Sequence, residues 1–332
     1  MPTRPLISLV VPAYDEAENM PGLVDLVRQI RAAHQEYDFE LILVDDGSTD
    51  DTVPALLRAA TGSDTTQVIS LSRNFGSHAA ITAGFAVARG DAALTLSADL
   101  QEPLDVIGRF LDDWRSGSEV VWGVRSTRSD PTGAAHALSR AFSRWFHRWS
   151  TIPMYPKEGP SIVLVSRPVL DIINALPEVN RNIFGLIAWA GFRQTTLTFE
   201  QLPRPAGKSK WTNAKKIKLV VDSFVEFSHA PVRVAGYIGL SSCVLGVFAA
   251  LAAIVIWPLP AGGAAFWWLA SLILVIGGLN LGFLSVLGEY VWRSGDDARR
   301  RPVYVLRTRA DVGEALPGQT SAAYTVGHSE VP

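Results

Sequence analysis

The stretch LTLSADLQEP, residues 94–103, begins as an apolar run and ends in the polar side chains of Asp99, Gln101 and Glu102. This pattern predicts a buried strand that emerges at the carboxyl edge of a sheet. Residues i and i+2 of an extended chain point the same way, so Asp99 and Gln101 can face one ion. Carboxylate and amide oxygens suit Mg²⁺ or Mn²⁺, which bind through one or two carboxylates and substrate phosphates. The plainer alternative is a strand followed by an ordinary polar loop.

Short apolar runs alternate with helical patterns on both sides of this stretch. Such alternation predicts an α/β fold with a doubly wound sheet of parallel strands and helices on both faces. In a sheet of this kind, ligands bind outside the carboxyl ends of the strands. Strands are predicted at 6–11, 39–44, 66–71, 92–96, 119–123 and 195–200, and helices at 17–33, from about 50, at 77–88 and at 104–114.

The loops at the carboxyl ends of the predicted strands are polar, and most of them are acidic: 14–16, 45–48, 73–76 and 99–101. No glycine-rich phosphate loop follows the first strand, which argues against a nicotinamide dehydrogenase or an ATPase. If a diphosphate binds at this edge, a metal ion on the acidic loops and distant basic residues must balance its charge. These requirements are typical of a nucleotide-sugar transferase.

The last third of the chain has a different composition. The 332 residues carry a net charge of −2, yet residues 234–288 contain no Asp, Glu, Lys, Arg or His. Helices at about 234–257 and 265–288 would each be long enough to cross the roughly 30 Å hydrocarbon core. A two-helix transmembrane hairpin returns the tail to its starting side, which Arg293 and 299–301 mark as cytoplasmic. A buried core hairpin is the alternative, and the single cysteine, Cys243, excludes a disulfide framework.

Two stretches, 133–149 and 212–229, mix apolar or aromatic side chains with basic ones. This mixture favours amphipathic helices in the membrane interface, with an ordinary amphipathic helix as the alternative. A lipid bilayer or a phosphate-rich substrate suits such basic segments better than nucleic acid does. We expect a cytosolic domain at 1–211, an interfacial helix at 212–230 and two membrane spans within 234–289. Residues 290–332 would form a cytosolic basic segment whose tail is disordered from Arg309 onward. Helix packing in a homo-oligomer would use Gly277, Gly278 and Gly282.

Several motifs in order along the chain resemble those of family 2 glycosyltransferases with the GT-A fold. More narrowly, the chain resembles the polyprenyl-phosphate glycosyltransferases, which include dolichyl-phosphate mannose synthases and bacterial bactoprenol glucosyltransferases. The resemblance extends to about Val305. The matching segments are VPAYDE (11–16), VDDGSTD (44–50), SRNFG (72–76), SADLQEP (97–103), AGKSKW (206–211), GEY (288–290) and RPVY (301–304).

This resemblance implies transfer of a sugar from a nucleotide-diphosphate sugar to polyprenyl phosphate, by a multi-pass protein of the bacterial cytoplasmic membrane with its catalytic domain in the cytosol. Glucose and a uridine nucleotide are favoured, although no residue identifies the sugar. The resemblance assigns the base and ribose to Pro12, Tyr14 and Glu16, the rest of the nucleotide-sugar pocket to Asp45, Asp46, Ser97 and Asp99, a Mg²⁺ or Mn²⁺ ion to Asp99 and Gln101, and phosphates to Arg204, Ser209 and Lys210.

Two departures from the family pattern affect this interpretation. Many relatives carry a carboxylate where this chain has Ser97, whose hydroxyl could still bind a ligand or a water molecule. Relatives also carry an acid and an arginine where this chain has Ser161 and Val163. The acid is assigned there as a catalytic base or an acceptor-site carboxylate. An alkyl phosphate has its second pKa near 6, so the attacking oxygen of the acceptor is already largely deprotonated at neutral pH.

We therefore expect an active, inverting glycosyltransferase in which Asp99 is essential and Ser161 is not. One alternative is a catalytically degenerate membrane protein that keeps the nucleotide-sugar pocket as a sensor or partner subunit. A processive polysaccharide synthase is disfavoured because the chain lacks a Gln-x-x-Arg-Trp type of motif.

Overall fold

The computed structural model of the chain describes residues 4–60, 66–126, 155–156, 159–178, 181–203, 237–238, 241, 248, 262–299 and 301–312. Several predictions lie outside these residues: the interfacial helices at 133–149 and 212–230, the basic loop that contains Arg204, Ser209 and Lys210, and nearly all of the first predicted span. Tyr237, Ile238, Ser241 and Phe248, the described residues of that span, are helical.

The described residues form one eight-stranded sheet with helices on both faces. Its strand order is β7-β5-β6-β4-β1-β2-β3-β8. The strands are β1 (Leu6–Ala13), β2 (Asp38–Asp45), β3 (Thr66–Leu71), β4 (Ala92–Thr95), β5 (Val120–Arg125), β6 (Pro160–Ser166), β7 (Gln194–Phe199) and β8 (Leu306–Val312), and the helices are α1 (Met20–Ala33), α2 (Thr52–Ala59), α3 (Ser77–Val87), α4 (Leu104–Arg115), α5 (Arg167–Ala175), α6 (Ile183–Trp189) and α7 (Gly262–Ala298).

The expectation of an all-parallel sheet is wrong. Strands β1 to β4 are mutually parallel where they pair, but β6 runs antiparallel between β4 and β5, and β8 runs antiparallel along β3. No strand is predicted from the sequence at β6. Its residues 162–165 are buried on both faces of the sheet, so they show no alternation that would reveal a reversed strand. The fold is α/β with a mixed sheet.

Two hydrophobic clusters cover the two faces of the sheet, and β1 shows how one strand serves both. Leu9 and Val11 pack with α1, α2 and α4, whereas Val10 between them packs with α3, α5 and α6. This division follows the alternation of side chains along a strand. The sheet is therefore the fixed centre of the domain, and the loops at its edges are what can vary.

The expectation that the tail is disordered from Arg309 is wrong for residues 309–312. Strand β8 pairs with β3 in a register that places Thr66 opposite Val312 and Leu71 opposite Leu306. The sequence LRTRADV lacks an apolar run because β8 lies at the end of the strand order and has one neighbour. The nucleotide-binding domain predicted at 1–211 consequently needs a strand from beyond the apolar region.

Helix α7 is longer than the span of 265–288 predicted for it. It has 37 residues and a length of about 55 Å. Within the described residues it is the one helix apolar and long enough to cross a membrane, and its window Val275–Trp292 has a mean hydropathy of 1.3 and no buried residues. The predicted two-helix hairpin is not confirmed, since its first helix lies mostly outside the described residues.

Candidate active site

The four polar loops predicted to line one edge of the sheet do meet there. They follow β1, β2, β3 and β4, which run in parallel, so their carboxyl ends lie side by side. Backbone bonds join them: the Asp46 N–H donates to the Ala13 carbonyl at 2.8 Å, and the Leu96 N–H to the Val10 carbonyl at 2.9 Å. This edge contains the candidate active site.

The loop after β1 is fixed to the loop after β2 by polar contacts. The Asp15 carboxylate accepts the Thr49 N–H at 2.7 Å, and the Ser48 hydroxyl accepts the Asp15 N–H at 2.9 Å. The Glu16 N–H donates to the Thr52 hydroxyl at 2.9 Å. Asp15 has a φ of 49°, a left-handed conformation uncommon outside Gly, Asn and Asp. These bonds hold Tyr14, which is half-buried, at the edge, and Asp15 raises the pKa of the Tyr14 hydroxyl.

Asp46 holds the loop after β3. Its two carboxylate oxygens accept the N–H groups of Phe75 at 2.7 Å and Gly76 at 2.8 Å. Burial raises the pKa of Asp46, while these two backbone bonds lower it. Gly47 has a φ of 71°, and a Cβ there would lie 2.4 Å from the Arg73 carbonyl carbon, so the two loops touch backbone to backbone. Asp46 thus fixes the loop after β3 against the loop after β2.

Arg73 is a site residue that the sequence alone did not single out. Its guanidinium lies 3.9 Å from the centroid of the Phe75 ring and donates to the Asn74 carbonyl at 3.0 Å. The side chain is exposed, and its charge lowers the pKa of Asp46. An exposed cation beside acidic loops fits an anionic ligand, and its position within SRNFG is the signal that could have identified it.

The hydroxyl and the backbone of Ser97 are both bonded to Glu102 in the same loop. The hydroxyl donates to Glu102 Oε1 at 2.7 Å, and the Ser97 N–H donates to Glu102 Oε2 at 3.3 Å. Glu102 is 2% exposed, and burial raises its pKa to about 7, with a further increase from the neighbouring Asp99. The sequence predicts no role for Glu102, although this residue closes the loop that carries the predicted metal ligands.

Asp99 and Gln101 lie on that closed loop at the carboxyl edge. Asp99 is 9% exposed, and Leu100 between the two residues has a φ of 58°. The Gln101 amide donates to the Leu202 carbonyl at 3.0 Å, and the Leu202 N–H donates back to the Gln101 carbonyl at 3.0 Å. Within the described residues, no group of three or more His, Cys, Asp or Glu side chains could hold a metal ion. An ion here would need substrate or water oxygens as well.

Ser161 lies at the start of β6, which reaches the same edge because β6 is antiparallel to β4. Its hydroxyl donates to the Gly123 carbonyl at 3.1 Å. Val163 is fully buried and makes no surface for a charge. It belongs to the same hydrophobic cluster as Trp122 and Phe184, whose rings pack edge to face at 6.1 Å. Ser161 and Val163, where the family resemblance predicts charged residues, therefore have a polar and an apolar structural role here.

The remaining predicted residues also lie at this edge. Pro12 is opposite Val44, and Asp45 ends β2 with its carboxylate accepting the Ser48 N–H at 2.9 Å. The Glu16 carboxylate accepts the Asn19 side-chain amide at 2.7 Å. The structure brings together every described residue of the predicted site, whereas their contacts with a ligand stay predictions.

Two relatives with similar sequences agree on the family, and one solved structure is reported beside them. The chain is 33% identical over 304 residues to an uncharacterised glycosyltransferase of Synechocystis, an alignment that covers 90% of this chain and 94% of the relative. It is 32% identical over 310 residues to the bactoprenol glucosyl transferase of Shigella phage SfX, covering 91% and 99%. A mannosyltransferase of Pyrobaculum calidifontis, solved with GDP-Man and Mn²⁺, superposes with a TM-score of 0.49 at 20% identity, covering 88% of each chain.

The family profile described as Glycosyl transferase family 2 matches residues 8–166, the part of the chain that contains the acidic loops and β6. The relatives match beyond it, through the apolar region. On both grounds the chain belongs to glycosyl transferase family 2 and has a GT-A-like fold.

Proposed function

We propose that this glycosyltransferase moves a sugar, with glucose favoured, from a nucleotide-diphosphate sugar to polyprenyl phosphate at a membrane surface. The observation that carries the proposal is the position of the Ser97–Glu102 loop. It places Asp99 and Gln101 at the same edge as the loops of Tyr14, Asp46 and Arg73. A uridine diphosphate would lie across these loops, with its base toward the loop after β1.

A divalent ion fits this loop by its chemistry, because Asp99 supplies a carboxylate and Gln101 an amide oxygen on a backbone fixed by Glu102. Mg²⁺ or Mn²⁺ held there would stabilise the charge of the departing diphosphate. Leu202, bonded to Gln101, precedes Arg204 by two residues in the sequence. The proposed phosphate contacts of Arg204, Ser209 and Lys210 would therefore begin beside the ion.

The reaction needs little proton transfer from the protein. A phosphate oxygen of the acceptor attacks the anomeric carbon, the bond from that carbon to the diphosphate oxygen breaks, and the nucleoside diphosphate leaves with the electron pair. Since the attacking oxygen is already largely deprotonated at neutral pH, a serine at position 161 is compatible with turnover. Positioning and electrostatic stabilisation of the leaving group carry the rate enhancement.

The polyprenyl acceptor is supported by the names of the relatives and by the apolar helix α7. A polyprenyl tail stays in the bilayer, so the enzyme must meet its phosphate at the surface. The proposed architecture is a cytosolic domain, interfacial helices and a membrane hairpin in a bacterial inner membrane. Self-association through Gly277, Gly278 and Gly282 is the proposed route to a homo-oligomer.

The test uses purified full-length protein in detergent with undecaprenyl phosphate, Mg²⁺ or Mn²⁺, and radiolabelled nucleotide sugars supplied one at a time. We expect label from one donor, UDP-glucose first, to enter the organic phase. Asp99→Ala should end the transfer, while Asp105→Ala, an exposed acid on α4 nearby in sequence, should not. If a donor binds in a metal-dependent manner but transfers no label to the lipid, the proposed transferase activity is rejected. The alternative of a catalytically degenerate sensor or partner subunit is then favoured.

A further inference from the structure

The segment that follows α7 packs beside the carboxyl edge of the sheet, where the donor is proposed to bind. The Val305 carbonyl accepts the Ser72 N–H at 2.8 Å, immediately before Leu306 pairs with Leu71. Tyr304 and Leu306 are partly buried against the hydrophobic cluster on the α3 face of the sheet. Burial raises the pKa of the Tyr304 hydroxyl, and the nearby Arg181 and Arg309 lower it. The segment is thus held by a backbone bond and by packing.

Ser72 is the first residue of the loop that Asp46 holds at its other end. Phe75 and Gly76 donate their N–H groups to that carboxylate, and Phe75 packs on the same cluster as Tyr304 and Leu306. The loop therefore has two anchors, one from β2 and one from the segment after α7. Removing either anchor leaves the loop more conformations to lose when a ligand binds.

We propose that Tyr304 and Leu306 are positioning residues that fix the Ser72–Gly76 loop for the nucleoside diphosphate of the donor. They act through Ser72 and touch no substrate themselves. The inference rests on the proposed function, since it assumes that this loop contacts the donor. The proposal gives the motif RPVY a role, because its last residue, Tyr304, would help to set the affinity of the Ser72–Gly76 loop for the donor.

The experiment compares full-length Tyr304→Ala and Leu306→Ala with two controls. Tyr304→Phe keeps the packed ring, and Arg307→Ala changes an exposed side chain of the same strand. Binding of uridine diphosphate and guanosine diphosphate with Mn²⁺ is measured by calorimetry. Donor and acceptor KM and kcat are measured in detergent. Hydrogen–deuterium exchange is followed on peptides covering 66–76 and 38–45.

In both alanine variants we expect the nucleotide Kd and the donor KM to rise about tenfold, with kcat at saturating donor and the acceptor KM within about twofold. Exchange should increase at Ser72–Gly76 and stay unchanged in β2, and both controls should behave as wild type. Leu306→Ala, the smaller change, keeps the test valid if Tyr304→Ala does not fold.

Unchanged nucleotide affinity in a folded Leu306→Ala protein would overturn the positioning role and leave the proposed function standing. A decrease in both kcat and thermal stability, without a change in donor KM, would likewise overturn the positioning role. The segment would then only stabilise the fold. If the wild-type protein binds neither nucleotide, the proposed function fails, and the inference fails with it.

Discussion

Two buried glutamates at opposite edges of the sheet each accept a hydrogen bond from a serine hydroxyl. At the amino edge, Ser8 donates to Glu40 at 2.6 Å, and at the carboxyl edge Ser97 donates to Glu102 at 2.7 Å. Glu40 also accepts the Arg89 N–H at 2.7 Å and its guanidinium Nε–H at 3.0 Å. Glu102 instead has the carboxylate of Asp99 as a charged neighbour, and its pKa is about 7.

The difference separates an edge with a paired buried charge from an edge with two neighbouring carboxylates. A buried carboxylate paired with a guanidinium has its charge balanced within the fold. Two carboxylates close together under a loop raise the free energy of the ion-free state, and a bound cation relieves that cost. If the proposed ion binds at Asp99, the same serine–glutamate pair would stabilise the amino edge and prepare the carboxyl edge for a cation. The following predictions test this contrast.

The largest effect is expected at the carboxyl edge. Asp99→Ala should reduce sugar transfer by about 10³-fold or more, because the ion on the diphosphate loses its carboxylate ligand. The free energy of unfolding in EDTA should not fall, since the variant removes a repulsive neighbour of Glu102. Transfer assays and urea denaturation check both parts, and near-normal turnover would refute the metal assignment.

Glu40→Ala should instead destabilise the protein by roughly 1–3 kcal/mol, because it leaves the hydroxyl of Ser8 and the backbone N–H of Arg89 without their acceptor, whereas the exposed Arg89 guanidinium can bond to water. Activity per folded molecule should be nearly unchanged. Urea denaturation and transfer at low temperature measure the two quantities. A variant that folds normally but transfers poorly would show that the amino edge also serves the reaction.

Glu102 should make metal-free stability depend on pH. Its pKa in the folded protein, about 7, lies above the ordinary value of 4.5. Between these pH values the folded state holds a proton that the unfolded state has released, so the stability from this group is full below pH 4.5 and is lost as the pH rises through 7. The change should reach up to about 3 kcal/mol.

The matched variant for this prediction is Glu102→Gln, which cannot titrate. In EDTA, its unfolding free energy should lack the decrease between pH 5 and pH 8 that the wild type shows. Parallel pH profiles of the two proteins would mean that Glu102 is already charged at pH 5, against the environment described for it.

The smallest effect is expected for a third serine at the edges, Ser161. Its hydroxyl donates to a backbone carbonyl and, within the part of the chain that the structure describes, bonds to no glutamate, so Ser161→Ala should change the transfer rate less than about threefold and stability by about 1 kcal/mol or less. Steady-state kinetics with varied acceptor measure this. A loss of 10²-fold would give Ser161 a direct part in acceptor chemistry.

The sequence predicts the carboxyl-edge loops well, because the polar residues that follow buried parallel strands all lie at the same edge of the sheet. It does not predict the contacts within a loop. The hydroxyl of Ser97 donates to Glu102, a contact that the sequence does not predict, and the binding of a ligand or a water molecule by Ser97 stays a prediction. Loop closures of this kind depend on backbone angles such as the positive φ of Leu100, which no motif encodes.

The reversed strands were missed for opposite reasons. Residues 162–165 of β6 are buried on both faces, so their pattern does not reveal direction. Strand β8 has one neighbour and a largely polar sequence, so it resembles a tail. Both are placed by partners far away in the chain, and local propensity carries no information about such partners.

The pairing of β3 with β8 also sets an order for making the protein. Gln67 and Arg309, which approach each other across this pair, are 242 residues apart. At about 5–20 residues per second, β3 leaves the ribosome roughly 10 to 50 s before its last neighbour. Helix α7 is synthesised between them. The β3 side of the sheet is therefore completed after the apolar helix has been synthesised, so in the proposed enzyme a nascent chain would not form its full donor site before its membrane helix exists.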